Sequence, residues 1–465
     1  MKNTKQTLLI FMLAFIAAAF LTKINVEAKE LDSGKKNGIS WSYDSDGTLS
    51  VKGDGSIDDT WPEVSAAKYF NEPKLDKERK VYSFPWSQYR KNVTAIRLEG
   101  KLTDLYGLFD DLLNDCKIKY YDDGSMKVIS PSIDNSKVEK MYFGEGITVI
   151  PDADFGCFCN LKEVHLPESL KEIGDIFDYS KIKKIVIPKN VEKMAYDAFR
   201  HSELREVIFE TTKIKELYNE FIYCDKLKKV KLPDNLEKLD DTFRGCSALN
   251  DIVLPDTLKS IKDSTFYGCK ALTYIKIPAS ITEIEAGTFE KCYNLKEVIL
   301  PKNIITIDDC AFENCKRLKK ISLPSKLKTI GYGAFMGCFE LQKINIPDSV
   351  AEIGDFAFYK CNHLKKVSLS KNIKTLGNAA FSECRRLKKV IIQAGLKKID
   401  DYAFSDCPKL ESITIRSDNI KTIGSYAFYG INANARIKVP ASVFDKYKEM
   451  IIKDGKAPEG VTFKK

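Results

Sequence analysis

LTYIKIPASITEIEAGTFEKC, from Leu272 to Cys292, is followed two residues later by LKEVILPKNIITIDDCAFENC, from Leu295 to Cys315. The apolar residues, the proline, the phenylalanine and the terminal cysteine recur at the same offsets, 23 positions apart. Phenylalanine marks the period through Phe155, Phe177, Phe199, Phe221, Phe243, Phe266, Phe289, Phe312, Phe335, Phe358, Phe381, Phe404 and Phe428. The spacing is 22 as far as Phe243, 23 as far as Phe404 and 24 at the last step. Self-similarity at a fixed period in this range marks a stacked-repeat architecture. It removes the size limit that would otherwise divide a 465-residue chain into several compact domains.

The repeat has a physical reading. In Leu-x-x-Ile-x-Ile the last two apolar residues flank a polar one, the period of a short strand with one buried face. Pro278, Pro301, Pro324 and Pro347 follow and end that strand, because proline donates no ladder hydrogen bond. The next Ile-x-x-Ile returns the chain across the other side, and Ala-Phe-x-x-Cys is expected to form a tight helical turn with the phenylalanine as its wedge. One copy cannot bury its own apolar edge. Copies stacked at the roughly 4.8 Å spacing of paired strands bury it continuously, in a solenoid about 60 Å long. The expected fold is mainly β: short parallel strands in a right-handed coil with short helical turns, about 13 repeats of 22–24 residues over 138–440.

The motif L-x-x-I-x-I-P-x-x-[IV]-x-x-I-G-x-x-A-F-x-x-C stands almost intact at Leu318 to Cys338 and at Leu341 to Cys361. It resembles the BspA-like leucine-rich repeat family of bacterial surface and secreted proteins, over about two thirds of the chain. The commoner leucine-rich repeat carries an asparagine after the strand; this one does not, so no asparagine ladder or long convex helix is expected. The early repeats are the least regular, with Phe158 and Ser180 in the cysteine position and Ile182 and Leu204 one residue early. The resemblance implies a leucine-rich repeat solenoid that binds host matrix proteins or attaches to cell surfaces, without naming a ligand.

The ends of an array need caps over their apolar edges and unpaired backbone. Residues 29–137 are expected to be a β-rich N-terminal cap. It opens on a hairpin of Ile39 to Tyr43 and Thr48 to Val51 around Asp46-Gly47, and Tyr69 to Val81 is its expected exposed loop. Residues 441–465 are the expected C-terminal cap, where Val439-Pro440-Ala441 and Val443 to Ile452 read as a last strand and a short amphipathic helix. Lys2 and Lys5, the apolar run Leu8 to Leu21, and Val26-Glu27-Ala28 read as a signal peptide over 1–28, cleaved after Ala28. The expected product is secreted or extracellular, free or held at a cell surface, with no transmembrane segment after cleavage. It is expected to be a monomer.

Nine of the thirteen cysteines share one repeat position: Cys224, Cys246, Cys269, Cys292, Cys315, Cys338, Cys361, Cys384 and Cys407. Stacked equivalents lie about 4.8 Å apart with parallel side chains, whereas a disulfide needs Cβ atoms about 3.8 Å apart and facing each other. A ladder of buried free thiols is expected, cysteine serving as a small hydrophobe. Cys116, Cys157, Cys159 and Cys310 stand outside it and are the candidates for oxidation or pairing. The Cys157-Phe158-Cys159 spacing does not suit a zinc knuckle.

No catalytic constellation is present. His165, His201 and His363 fall in separate repeats, and carboxylates such as Glu283 and Glu352 fall at exposed positions. There is no phosphate-binding glycine loop, nucleophile elbow or zincin helix, so no enzyme activity, cofactor or metal is expected. Function is sought on the outward strand positions. Successive rungs carry Lys320, Lys343, Lys366 and Lys389 just before the strand's first buried residue, with Lys319, Gln342, Lys365 and Lys388 beside them. From Lys316 to Lys398 there are eighteen Lys or Arg against five Asp or Glu. This excess of thirteen exceeds the mature charge of +7 expected after cleavage, so the remainder is net acidic. The ridge suits an anionic glycan or wall polymer, or the acidic patch of a host or cell-surface protein. Nucleic acid is not expected, since no stacking aromatics interleave with it. The expected function is an extracellular or cell-surface binding and adhesion protein. The alternative is a structural cell-envelope component with no dedicated ligand, whose lysines only keep a sheet solvated.

Overall fold

The computed structural model describes residues 28–57, 84–103, 137–152 and 158–465, with short segments between 61 and 128. The signal-peptide reading, Phe155, Cys116, Cys157 and most of the Tyr69 to Val81 loop lie outside the described residues. Over the repeats the chain is a solenoid of parallel strands. Most copies lay down a strand of two to four residues on one side, reduced to a single parallel bridge between Lys320 and Lys343 in two of them, and a two-residue strand on the other. On the first side Glu206 aligns with Lys229 and Lys229 with Asp251, one repeat apart each time. On the second, seven strands from Glu283–Ile284 to Thr422–Ile423 form one sheet, with Thr306 beside Thr329 and Thr329 beside Glu352.

The phenylalanine column is the axis of the core. From Phe177 to Phe428 every anchor ring stacks on the next, with centroids 4.9 to 5.9 Å apart and planes within 20°. Phe266, Phe289, Phe312, Phe335, Phe358, Phe381 and Phe404 are all fully buried. Offset or edge contacts are worth about 0.5–1.5 kcal/mol per aromatic pair beyond the area buried.

The cysteine column does more than fill space. All nine ladder cysteines are free and buried. Each thiol donates to the carbonyl of the phenylalanine one repeat earlier, at 2.9 to 3.3 Å, as Cys315 does to Phe289 and Cys338 to Phe312. The same Phe312 carbonyl also takes the Cys315 backbone N–H at 3.1 Å. A side chain small enough for the slot, apolar enough for burial and still able to donate is a cysteine. Burial in this dry column pushes the Cys224 and Cys407 thiols up to about 12, so they remain protonated donors. Outside the column, Cys310 is free and half-buried, while Cys159 is disulfide-bonded.

The corner differs from expectation. In place of a helical turn, the residues two before and two after every anchor phenylalanine from Phe243 to Phe428 are left-handed: Cys310 (φ 53°) and Asn314 (φ 57°) flank Phe312, and Gly333 and Gly337 flank Phe335. This alternation turns every second N–H toward the following repeat. Gly333, Phe335 and Gly337 donate to the carbonyls of Asp355, Ala357 and Tyr359, each at 2.8 Å. The corner is therefore a backbone ladder of its own, which a helical turn with hydrogen bonds inside one copy would not provide.

At the N-terminal end the predicted hairpin forms, with Ile39–Asp44 antiparallel to Thr48–Lys52. Glu30–Lys36 pairs on its outer side, and Thr48–Lys52 joins Ala95–Glu99 and then Lys140–Phe143 in parallel, so the cap grows into the first sheet. Trp41, Trp61, Phe84 and Trp86 pack into its core. At the C-terminal end the helix Phe444–Lys453 brings the residues after it over the last corner. The N–H groups of Tyr426 and Phe428 donate to the carbonyls of Asp454 and Gly455, at 3.0 and 2.8 Å, where another repeat would have supplied acceptors. Thr462–Lys464, unanticipated from sequence, then adds a final parallel strand beside Arg436–Lys438.

Removing a central ring should open a void that stacked neighbours cannot close. Phe312→Ala is expected to cost about 3–5 kcal/mol in chemical denaturation, and Cys315→Ala about 1–2 kcal/mol. In the folded protein the ladder thiols should resist an aromatic disulfide reagent and react together on unfolding; prompt reaction of several thiols under native conditions would contradict the sealed column.

Candidate functional site

The outward positions of the first sheet form columns along the solenoid, and the column just before the first buried strand residue has two halves. Its first half reads Lys140, Glu163, Lys184, Glu206, Lys229 and Asp251, with sign alternating at every rung. The alternation makes cross-strand ion pairs: Lys140 to Glu163 at 3.7 Å, Lys184 to Glu206 at 2.9 Å and Lys229 to Asp251 at 3.7 Å. Tyr274 and Glu297 follow, aligned with each other. Then the rule changes, and the next four rungs carry Lys320, Lys343, Lys366 and Lys389.

These lysines stand side by side. Lys320 bridges to Lys343, and Lys366 aligns with Lys389 in parallel strands. Between the two pairs, the Lys365 N–H donates to the Gln342 carbonyl and keeps the stack continuous. All four side chains are exposed, and none of them has an acidic partner among the described residues. In the adjacent column Lys319 pairs with Glu340 at 3.6 Å, while Lys365 and Lys388 are exposed and have no acidic partner among the described residues. The sequence-predicted ridge is thus one surface, interrupted in its second column by Gln342. Like charges directly opposite on neighbouring strands destabilise a sheet. Rungs about 4.8 Å apart also lie well inside the roughly 10 Å Debye length at 0.1 M salt, so the four ammonium groups act as one field.

The remaining candidates are structural. His165 pairs with Glu163 at 2.8 Å and stacks on Tyr142, and His201 is stacked between Tyr179 and Tyr223. Among the described residues no group of three or more His, Cys, Asp or Glu is arranged to hold a metal ion. No helix among them is long and apolar enough to cross a membrane.

A second feature escaped sequence reasoning. From Phe199 onward the residue before each anchor phenylalanine is alanine or threonine, as in Ala198, Thr242, Thr265, Thr288 and Ala311, except before Phe221, where it is Glu220; the two anchors before that, Phe155 and Phe177, follow Asp154 and Ile176. Thr242 shows what the slot requires: its hydroxyl accepts the Asp240 N–H at 3.2 Å and donates to the Leu217 carbonyl at 3.0 Å. Glu220 is 1% exposed, and its Oε2 has no hydrogen-bond partner. Burial pushes its carboxyl up to about 8, against the pull of the backbone N–H groups of Glu220 and Tyr218. It floors an open cleft of about 770 Å³ on the second sheet, walled by Met194, Tyr196, Ile214 and Tyr218. The signal was available in the sequence as an acid set among the alanines and threonines that fill this column from Ala198 to Ala427.

A carboxyl raised in the folded state keeps its proton there while the unfolded chain has lost it, so stability falls as pH rises from the ordinary glutamate range to about 8. Glu220→Thr, which installs the column's own residue, should therefore stabilise the protein, by about 1–3 kcal/mol at pH 8.5 and by less at pH 4.5. Denaturant midpoints of the two proteins at the two pH values measure this; an equal gain at both would refute the buried-proton account.

The sequence matches the family described as BspA type leucine rich repeat region (6 copies) over residues 127–246, 240–362 and 328–451. The chain is similar in structure to a leucine-rich repeat protein from Bacteroides ovatus, with a TM-score of 0.63, 24% identity and coverage of 75% of this chain and 90% of that one. A leucine rich cell surface protein from Faecalibacterium prausnitzii aligns over 94% of this chain and 96% of its own, at 19% identity and a TM-score of 0.37. The first of these supports the fold. No curated protein matches the sequence.

Proposed function

The chain belongs to the BspA type leucine-rich repeat family, and from that premise we propose that it is an exported binding and adhesion protein whose Lys320 to Lys389 ridge holds an anionic polymer. One observation carries this reading. The same column alternates in charge over six rungs and then places four lysines in succession. A sheet face that only needed solvation would be served by continued alternation, which the chain uses elsewhere with ion pairs at 2.9 to 3.7 Å. The like-charge run gives up that stabilisation. A chain of sulfate, phosphate or carboxylate groups laid along the ridge would restore it, neutralising several ammonium groups at once and releasing counterions as polyanions do. Lys319, Lys365 and Lys388 broaden the track beside it.

Export is part of the proposal and rests on Lys2, Lys5, the apolar run Leu8 to Leu21 and Val26-Glu27-Ala28. Protein recovered from the medium or the cell surface should have Lys29 as its N-terminal residue.

The ridge is tested by retention on immobilised heparin, a sulfated glycan, against an uncharged agarose. Wild type should elute at raised salt, and replacing Lys320, Lys343, Lys366 and Lys389 by Glu should abolish retention. Lys343→Glu with Lys389→Glu, which restores alternation, should shorten retention while the melting temperature holds or rises. Unchanged retention in the fourfold variant would dismiss the ridge and leave the structural-envelope reading, and binding to polyglutamate with none to heparin would move the ligand to an acidic protein.

A further inference from the structure

The Glu220 cleft lies on the opposite sheet from the lysine ridge and several repeats before it. Four of the six buried polar atoms without a hydrogen-bond partner among the described residues fall between Asp178 and Glu220: Asp178 Oδ1, Ser180 Oγ, Arg200 Nε and Glu220 Oε2. The other two are Trp86 Nε1 in the N-terminal cap and Asn362 Oδ1. Of the four, only Glu220 lines the cleft; a buried carboxyl oxygen left without a partner at the wall of a cleft marks a place where local stability has been given up, the pattern expected of a functional site.

The chemistry of the walls selects a ligand. Of the acids lining the cleft, Glu172 and Glu192 are occupied by Lys193 and Lys213, at 3.8 and 2.7 Å. The third lining lysine, Lys215, turns its Nζ to the Asn235 carbonyl. Glu216 accepts the Tyr218 hydroxyl, Asp152 and Glu220 have no basic partner among the described residues, and with five acids against three lysines the lining has an acidic surplus. Its aromatic wall already shows what it accepts: Lys238 Nζ sits 4.5 Å from the centre of the Tyr218 ring. Tyr196 stands edge-to-face with Tyr218 at 5.2 Å and is 63% exposed, so it offers a second ring to an incoming cation. An aromatic face beside an unpaired carboxyl is the arrangement that binds an ammonium group with an apolar stem.

We propose that this cleft is a second binding site, selective for a primary alkylammonium group such as a lysine side chain, with Glu220 as counter-charge and Met194, Tyr196 and Tyr218 around the stem. The site is independent of the ridge. It gives the solenoid two faces of opposite preference, anionic ligands on one and cationic ligands on the other.

The test uses n-butylammonium as the probe, with 1-butanol as its neutral analogue, at pH 8.5, above the raised value of the Glu220 carboxyl. The readout is the methyl resonance of Met194 in protein labelled at methionine methyls, assigned through Met194→Leu. Butylammonium should shift it saturably. Butanol should act at least tenfold more weakly, and Glu220→Gln should weaken butylammonium binding at least tenfold. The Met336 and Met450 methyls, and unaltered heparin retention, show that the variant is folded. An equal response to butanol would overturn the proposal in favour of a plain apolar crevice. Undiminished binding by the glutamine variant, or no shift in wild type, would overturn it outright.

Discussion

Each copy of the repeat must sit directly over the last, and the stacked phenylalanine rings are the contact that enforces this. A ring held by two others within 6 Å, with both planes nearly parallel, tolerates neither a slipped residue nor a tilted copy. Because the ring is central, its register fixes both sheets: a one-residue slip would turn the ladder leucines and isoleucines outward and bring lysines into the core. The thiol column depends on the same alignment, since each donor meets a carbonyl that belongs to the copy before it. Side chain and backbone therefore specify one arrangement.

The solenoid was legible because its information is redundant. Thirteen phenylalanines at 22, 23 or 24 residues cannot be misread, and the alternation around Ile275 and Ile277 names the strand. The corner was not legible. Ala-Phe-x-x-Cys resembles a helical turn in composition, and the left-handed positions are filled by residues as unlike as Tyr179, Lys291, Glu383 and Gly337. A non-glycine residue there costs about 1–2 kcal/mol, and the cost is met by three backbone hydrogen bonds to the next copy, which local sequence does not reveal. The final strand was missed for a similar reason, since Thr462 to Lys464 carries one apolar residue and takes its identity from Arg436 to Lys438 beside it.

Both candidate sites appear where a column departs from its own rule. The lysine ridge was visible in sequence as clustering, but its meaning depends on the alternation of Lys140 through Asp251 in the same column, which the strand register exposes. Glu220 was visible as an exception to the alanine and threonine that run from Ala198 to Ala427, yet its weight comes from burial and from the cleft above it. In a structure of equivalent positions, each residue has a dozen internal controls, and an exception is measured against them rather than against an average protein.

The corner ladder has a direction. Its N–H groups all point toward the C-terminus, so one end of the pile presents donors and the other acceptors, and the two lids cannot exchange roles. Asp454 and Gly455 close the donor end with carbonyls alone. Everything between the lids is interchangeable in this respect, because any copy hands the next what it received from the one before. Such a molecule lengthens or shortens by whole copies, as recombination within a tandem gene would supply them, while its ends remain constant. A lineage can thus revise the breadth of the displayed surface without redesigning the fold.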